Sequence, residues 1–115
     1  MFVLPLIAAV VAAVAQVGSV DMTSDRIEVS GDGHRRTIPC EGRHVEVAGV
    51  NHVLVFTGTC ASLELTGSGN RVTIGLAPGA VLDVAGTDHV VHWHSSGQPQ
   101  LALAGANNRV DRMEH

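Results

Sequence analysis

Five glycines set the frame of this chain. Gly31, Gly49, Gly67, Gly86 and Gly105 follow one another at steps of 18, 18, 19 and 19 residues. Each stands at the end of a short apolar alternation. Ile27-Glu28-Val29-Ser30-Gly31 matches Val45-Glu46-Val47-Ala48-Gly49, then Leu63-Glu64-Leu65-Thr66-Gly67, Leu82-Asp83-Val84-Ala85-Gly86 and Leu101-Ala102-Leu103-Ala104-Gly105. A period near 19 is much shorter than a helical-pair repeat and suits one coil of a solenoid built from short strands.

Within a copy the apolar residues recur at every second position. Leu63 and Leu65 flank Glu64, and Val72 and Ile74 flank Thr73. That alternation gives short strands with one buried face. Gly67-Ser68-Gly69-Asn70 lies between them, and Gly and Asn accept positive φ at low cost. The other connection in a copy is also turn-like, as in Ala77-Pro78-Gly79 and Ser95-Ser96-Gly97-Gln98-Pro99. The expected fold is all-β: a short right-handed parallel β-helix of four to five coils over residues 27–115.

Coils of such a solenoid stack about 4.8 Å apart, so equivalent residues become neighbours. Leu63, Leu82 and Leu101 then form one interior column, and Leu65, Val84 and Leu103 a second. Val72, Val91 and Val110 form a third. Ile74 and Trp93 form a fourth that stops at Arg112. Asn51, Asn70 and Asn108 are expected to make a structural amide ladder at the turn, with His89 taking one rung, because stacked side-chain amides bond to one another and to backbone groups. A core of repeated Leu, Val and Ile needs few large rings, consistent with only Phe2, Phe56 and Trp93 in 115 residues.

The N-terminal stretch reads differently. Residues 1–20 carry no charge, and Phe2 to Ala15 is an apolar run ending in Ala13-Val14-Ala15. That run falls short of the roughly 20 apolar residues of a membrane-spanning helix. Its small-x-small end is what signal peptidase accepts, so residues 1–15 are expected to be a helical signal segment, with 16–26 a linker or cap. The positive region that usually opens a signal is missing, which leaves an uncleaved membrane anchor as the alternative. Export or the cell envelope is the expected location.

Cys40 and Cys60 lie about one coil apart, each just ahead of a strand. On adjacent coils their Cα atoms fall within the roughly 5–6 Å that a disulfide accepts, and an exported protein meets an oxidising compartment. A structural disulfide closing a loop of about 20 residues stabilises by on the order of 3 kcal/mol.

Cys40, the copy around Gly49 and Asn51, Gly58-Thr59-Cys60 and the later Leu-x-Val-x-Gly-x-x-Asn copies together resemble the bacterial domain of unknown function 3060, over about residues 27–112. The resemblance implies an exported β-solenoid, often of actinobacterial origin and often following a signal or membrane segment. It carries no established activity, and His89 departs from the pattern where an Asn belongs.

Two groups of residues are candidates for chemistry. His92 and His94 flank Trp93 and point outward from one strand about 6–7 Å apart, a spacing that permits shared ligation of Zn²⁺ or Cu²⁺. A metal site needs further ligands, and of the column neighbours Thr73 and Asp111 only Asp111 qualifies. The second group is an outward acidic column, Glu28, Glu46, Glu64 and Asp83, with no arginine in its pattern. Like charges one coil apart repel. Such charges also discourage one sheet face from sticking to another. Neither group gives a catalytic, cofactor or metal assignment. No nucleophile elbow, phosphate loop, zinc ribbon or Ser/His/Asp grouping is present. With a net charge of −4 and scattered arginines, nothing suggests a nucleic-acid partner, and none is expected. The expected function is a non-catalytic exported module with a structural or interaction role, its partner an unidentified envelope component. The alternative is cation or ligand binding on the acidic column or at His92/His94. The open ends of a solenoid can also stack on a second copy or another chain.

Overall fold

The computed structural model describes residues 17–113. The expected signal segment, 1–15, lies outside them. The described chain is nine strands and no helix: β1 (Val17–Met22), β2 (Arg26–Asp32), β3 (Arg35–Pro39), β4 (His44–Val47), β5 (Val53–Leu65), β6 (Arg71–Val84), β7 (Val90–Ser95), β8 (Gln100–Leu103) and β9 (Arg109–Arg112).

From β2 onward every pairing is parallel and joins residues 18 or 19 apart, save Cys60 beside Leu76, where the register of β5 on β6 shifts. Ile27 lies beside Val45, Val45 beside Leu63, Leu63 beside Leu82 and Leu82 beside Leu101. Leu54, Val72, Val91 and Val110 form the matching column on the other side of the coil, and Phe56, Ile74, Trp93 and Arg112 the next. The result is a β-solenoid of five coils whose interior is these columns. Arg112 closes its column by laying its guanidinium 5.3 Å from the centre of the Trp93 ring and donating to the Ser95 carbonyl at 3.0 Å.

The glycine period has a steric cause. The five marker glycines have φ between 103° and 116°. A Cβ on Gly49, Gly67, Gly86 or Gly105 would sit 1.8–2.0 Å from the carbonyl oxygen of the glycine one coil before. No side chain fits there, so the corner can repeat only with glycine.

Two residues beyond each marker glycine stand Gly33, Asn51, Gly69, Asp88 and Asn107, all at φ between 58° and 73°. Three residues beyond stand His34, His52, Asn70, His89 and Asn108. This second series is the ladder, so the expectation that Asn51 is a rung is corrected: Asn51 is exposed at the turn, and His52 is the buried rung. The reason is conformational. Asn is among the few residues that tolerate the left-handed region, so it serves the turn as readily as the ladder.

Each interior rung makes the same two connections. Its acceptor takes the backbone N–H of the rung before: His34 N–H donates to His52 Nδ1 (3.0 Å), His52 N–H to Asn70 Oδ1 (2.9 Å), Asn70 N–H to His89 Nδ1 (3.3 Å) and His89 N–H to Asn108 Oδ1 (3.0 Å). Its donor goes to the carbonyl four residues back, from His52 Nε2 to Ala48 (3.0 Å), Asn70 Nδ2 to Thr66 (3.2 Å), His89 Nε2 to Ala85 (2.9 Å) and Asn108 Nδ2 to Ala104 (2.9 Å). Since Nδ1 accepts, His52 and His89 are neutral with the proton on Nε2, and a histidine in that tautomer reproduces the acceptor and donor of an asparagine. The amide has one more N–H. Asn70 and Asn108 also donate to Gly49 and Gly86 on the coil before, at 3.0 and 3.1 Å.

Cys40 and Cys60 form a disulfide with Cα atoms 5.3 Å apart, and both residues are fully buried. It ties the end of β3 in the first coil to β5 in the second, in the same core cluster as Ile38 and Phe56. Ahead of the repeat, within the stretch 16–26 expected to be a linker or cap, residues 17–22 form a strand. β1 runs antiparallel to β2, setting Val20 beside Val29 and Met22 beside Ile27. The first coil is therefore roofed on this side by a hairpin strand that carries no copy of the repeat.

Candidate functional site

The outer face of β2, β4, β5 and β6 carries the expected carboxylates in register: Glu28 beside Glu46, Glu46 beside Glu64 and Glu64 beside Asp83. β1 adds a fifth, because Asp21 pairs with Glu28. The expectation that no arginine attends the column is corrected. Arg26, at the start of β2, reaches Glu46 at 3.2 Å and Glu28 at 3.9 Å. It was hidden because it belongs to the neighbouring outward column, Arg26, His44 and Ser62, whose members share no chemistry.

Glu64 lies beyond Arg26's direct reach. A hydrogen bond with Glu46, reinforced by the charges of Glu46 and Asp83, raises its carboxyl above the ordinary carboxylate value. Two carboxylates one coil apart hold a shared proton more tightly than either would alone. A concavity of about 170 Å³ lies along the column between Asp21 and Glu64, floored by small residues such as Ser30 and Ala48. A wider hollow of about 360 Å³ adjoins it, where His44, Ser62 and Val81 meet Glu64 and Asp83.

In that hollow His44 Nδ1 and Ser62 Oγ are 2.7 Å apart. Sequence reasoning missed this contact, which the register creates between residues 18 apart. A serine hydrogen-bonded to an imidazole is one part of a nucleophilic site. Acyl transfer also needs donors aimed at the developing oxyanion. β4 and β5 each have a strand on both sides, so the backbone N–H groups beneath the pair serve the sheet. The arrangement fits a polar surface contact.

His92 and His94 project from β7 as expected, with Thr73 and Asp111 beside His92. His94 lies against Gly75, whose missing side chain makes room for the ring. Asp111 is engaged by Arg109 at 3.5 Å. Among the described residues no three His, Cys, Asp or Glu side chains come together as a metal site requires.

The fold and its surface define a class: a short, disulfide-tied β-solenoid with an acidic outer face, its interior set by glycine corners and an Asn/His ladder. Within that class the family is shown. The chain belongs to the family described as protein of unknown function (DUF3060), whose model matches residues 47–107, just over half of the sequence. Neither the curated proteins nor the solved structures hold a significant match to the chain.

Proposed function

We propose that this chain is an exported, non-catalytic β-solenoid module that acts by presenting a face to a partner in the cell envelope or outside the cell. In this reading residues 1–15 are the export signal and the coils wind right-handed, as parallel crossovers do. The carrying observation is the Cys40–Cys60 disulfide, wholly buried between coils. Such bonds persist in oxidising compartments and are rare where the cell keeps thiols reduced. The regular outer face supports the interaction role, since its side chains rise from paired strands and not from long loops shaping a cleft. The test is fractionation of the organism that makes the protein, with thiol alkylation and mass spectrometry of the recovered chain. Recovery outside the cytoplasm, oxidised and starting near Gln16, is expected. A cytoplasmic chain with both thiols free overturns the reading.

A second reading, cation or basic-ligand binding, is favoured by the acidic column, which Asp21 lengthens to five carboxylates. A thermal-shift screen with divalent metals and cell-wall glycans tests it. Stabilisation that vanishes in Glu46→Gln/Glu64→Gln establishes binding on this face. Turnover of a glycan that is lost in Glu64→Gln replaces the non-catalytic assignment.

A further inference from the structure

We propose that the fifth coil is a self-association surface, on which a second copy of this chain docks by antiparallel pairing of β8 with its own counterpart, centred on Ala102. The two ends of the solenoid differ. At the first coil Ile27 and Val29, roofed by β1, are 0% and 1% exposed; at the fifth, Leu101 and Leu103 hold the same column positions and are 46% and 54% exposed. β8 pairs only with β6, and β9 only with β7, so each has one free edge among the described strands. Exposed strand edges bearing apolar side chains recruit another strand.

The molecule itself shows what closes such an end. β1 covers β2 antiparallel, with apolar residues opposed across the pair. β8 can do the same to a copy of itself because Leu101-Ala102-Leu103 reads alike in both directions. Centred on Ala102, Leu101 of one copy opposes Leu103 of the other, and the reverse, which closes both apolar columns at once. The backbone agrees. The Ala104 N–H donates back to the Val84 carbonyl at 2.8 Å, so by alternation the N–H and C=O groups of Leu101 and Leu103 face the open side. Those are the residues that would exchange hydrogen bonds in this register, leaving Ala102 against Ala102 as the close, non-hydrogen-bonded pair.

Charge is complementary as well. The outward acidic column runs Glu28, Glu46, Glu64, Asp83 and then Ala102, so the carboxylate is missing at the position that would meet its own copy. In β9 an antiparallel mate centred on Val110 sets Arg109 against the mate's Asp111 twice over. A two-fold interface requires a patch that complements itself, and both strands of this coil do. The end of one coil is small beside a standard protein interface, so a reversible dimer is expected.

The test is register-specific. The described chain has no free cysteine, so Ala102→Cys in the full chain adds one reactive thiol on the two-fold axis. Mild oxidation is expected to convert most of Ala102→Cys to covalent dimer and little of Asp25→Cys, which carries its thiol at the opposite end. Sedimentation velocity is expected to show the parent passing from monomer to dimer with rising concentration, and Leu101→Asp/Leu103→Asp staying monomeric with the same thermal midpoint as dilute parent. Equal cross-linking of the two cysteine variants, a parent monomeric up to millimolar concentration, or assemblies that grow beyond two copies each overturn the proposal. The last outcome would mean that the fifth coil meets the opposite end of the next copy.

Discussion

Asn70 is the rung on which the ladder can be tested most sharply. It is buried, and its amide makes three hydrogen bonds: it accepts from His52 N–H at 2.9 Å and donates to Gly49 at 3.0 Å and Thr66 at 3.2 Å. Leucine has nearly the same shape and none of the partners. In Asn70→Leu the His52 N–H is left without an acceptor inside the protein. Gly49 retains the Ser68 N–H as a donor at 3.1 Å, so the loss at that carbonyl is partial. An orphaned buried group costs about 1–3 kcal/mol, so one N–H and two weakened carbonyls together cost about 3 kcal/mol. For a domain of this size that lowers the thermal midpoint by on the order of 15 °C. Histidine at the same place is expected to behave differently. Asn70→His restores the acceptor through Nδ1 and the Thr66 bond through Nε2, as His52 and His89 already do, and gives up only the bond to Gly49. Its expected cost is about 1 kcal/mol, a fall of roughly 5 °C. Thermal unfolding followed by far-ultraviolet circular dichroism, at a mildly alkaline pH where histidine is neutral, measures both. A leucine variant that melts with the parent refutes the ladder as a source of stability. A histidine variant as damaged as the leucine one refutes the claim that the two residue types are interchangeable rungs.

Three further outcomes follow from the same geometry. Burial lowers the pKa of His52 from the ordinary 6.5, with His34 adding to the effect and the Ala48 bond and Asp32 opposing it; a depressed folded-state pKa means stability that is complete above 6.5 and lost as pH falls from there toward the folded value. The parent's melting temperature should therefore decline on mild acidification before the carboxylates titrate, and His52→Asn should flatten that decline; parallel curves for the two proteins would count against it. Removing the disulfide in Cys40→Ala/Cys60→Ala should cost about 3 kcal/mol for the loop it closes, read as a lowered denaturant midpoint that a reducing agent reproduces in the parent and not in the variant. Glu64, whose folded-state pKa is raised, contributes stability below the ordinary carboxylate range that is lost as pH rises through the raised value. Glu64→Gln should thus match or exceed the parent at neutral pH and lose that advantage in acid; a variant less stable than the parent at neutral pH would show that the charge is needed where it is.

The repeat was readable because each interior residue has its own copies for neighbours. A glycine whose Cβ would strike the carbonyl one coil away must recur at every corner, and a leucine under a leucine must stay apolar. The same logic made the Cys40–Cys60 bond legible from spacing alone. It failed at the ladder, where Asn occupies both the left-handed turn position and the rung. Asn107 and Asn108 are adjacent and do different work, and counting three residues from Gly49, as from Gly67, would have found His52 in place of Asn51. β1 was legible only as a linker or cap, and not as a strand, because a roof strand owes nothing to the period. Arg26 was illegible because its partner Glu46 is distant in sequence and near only through the stacking.

The outer face obeys a different rule, and that is why function is harder to read than fold. Outward side chains do not pack against their copies, so nothing in folding obliges them to repeat, and the column Arg26, His44, Ser62, Val81, Gln100 does not. The adjacent column repeats a carboxylate on four successive coils, with Asp21 before them, although like charges at strand spacing repel. Packing cannot account for a residue type that recurs where it disfavours folding. In the two readings proposed above, the surroundings of the face account for it, either as a cationic partner that the column meets or as other sheet faces that it must not adhere to. Its end at Ala102 separates the two ends of the molecule in the same terms: the carboxylate recurs along the flank and is dropped on β8, the strand whose free edge is proposed to pair with a second copy.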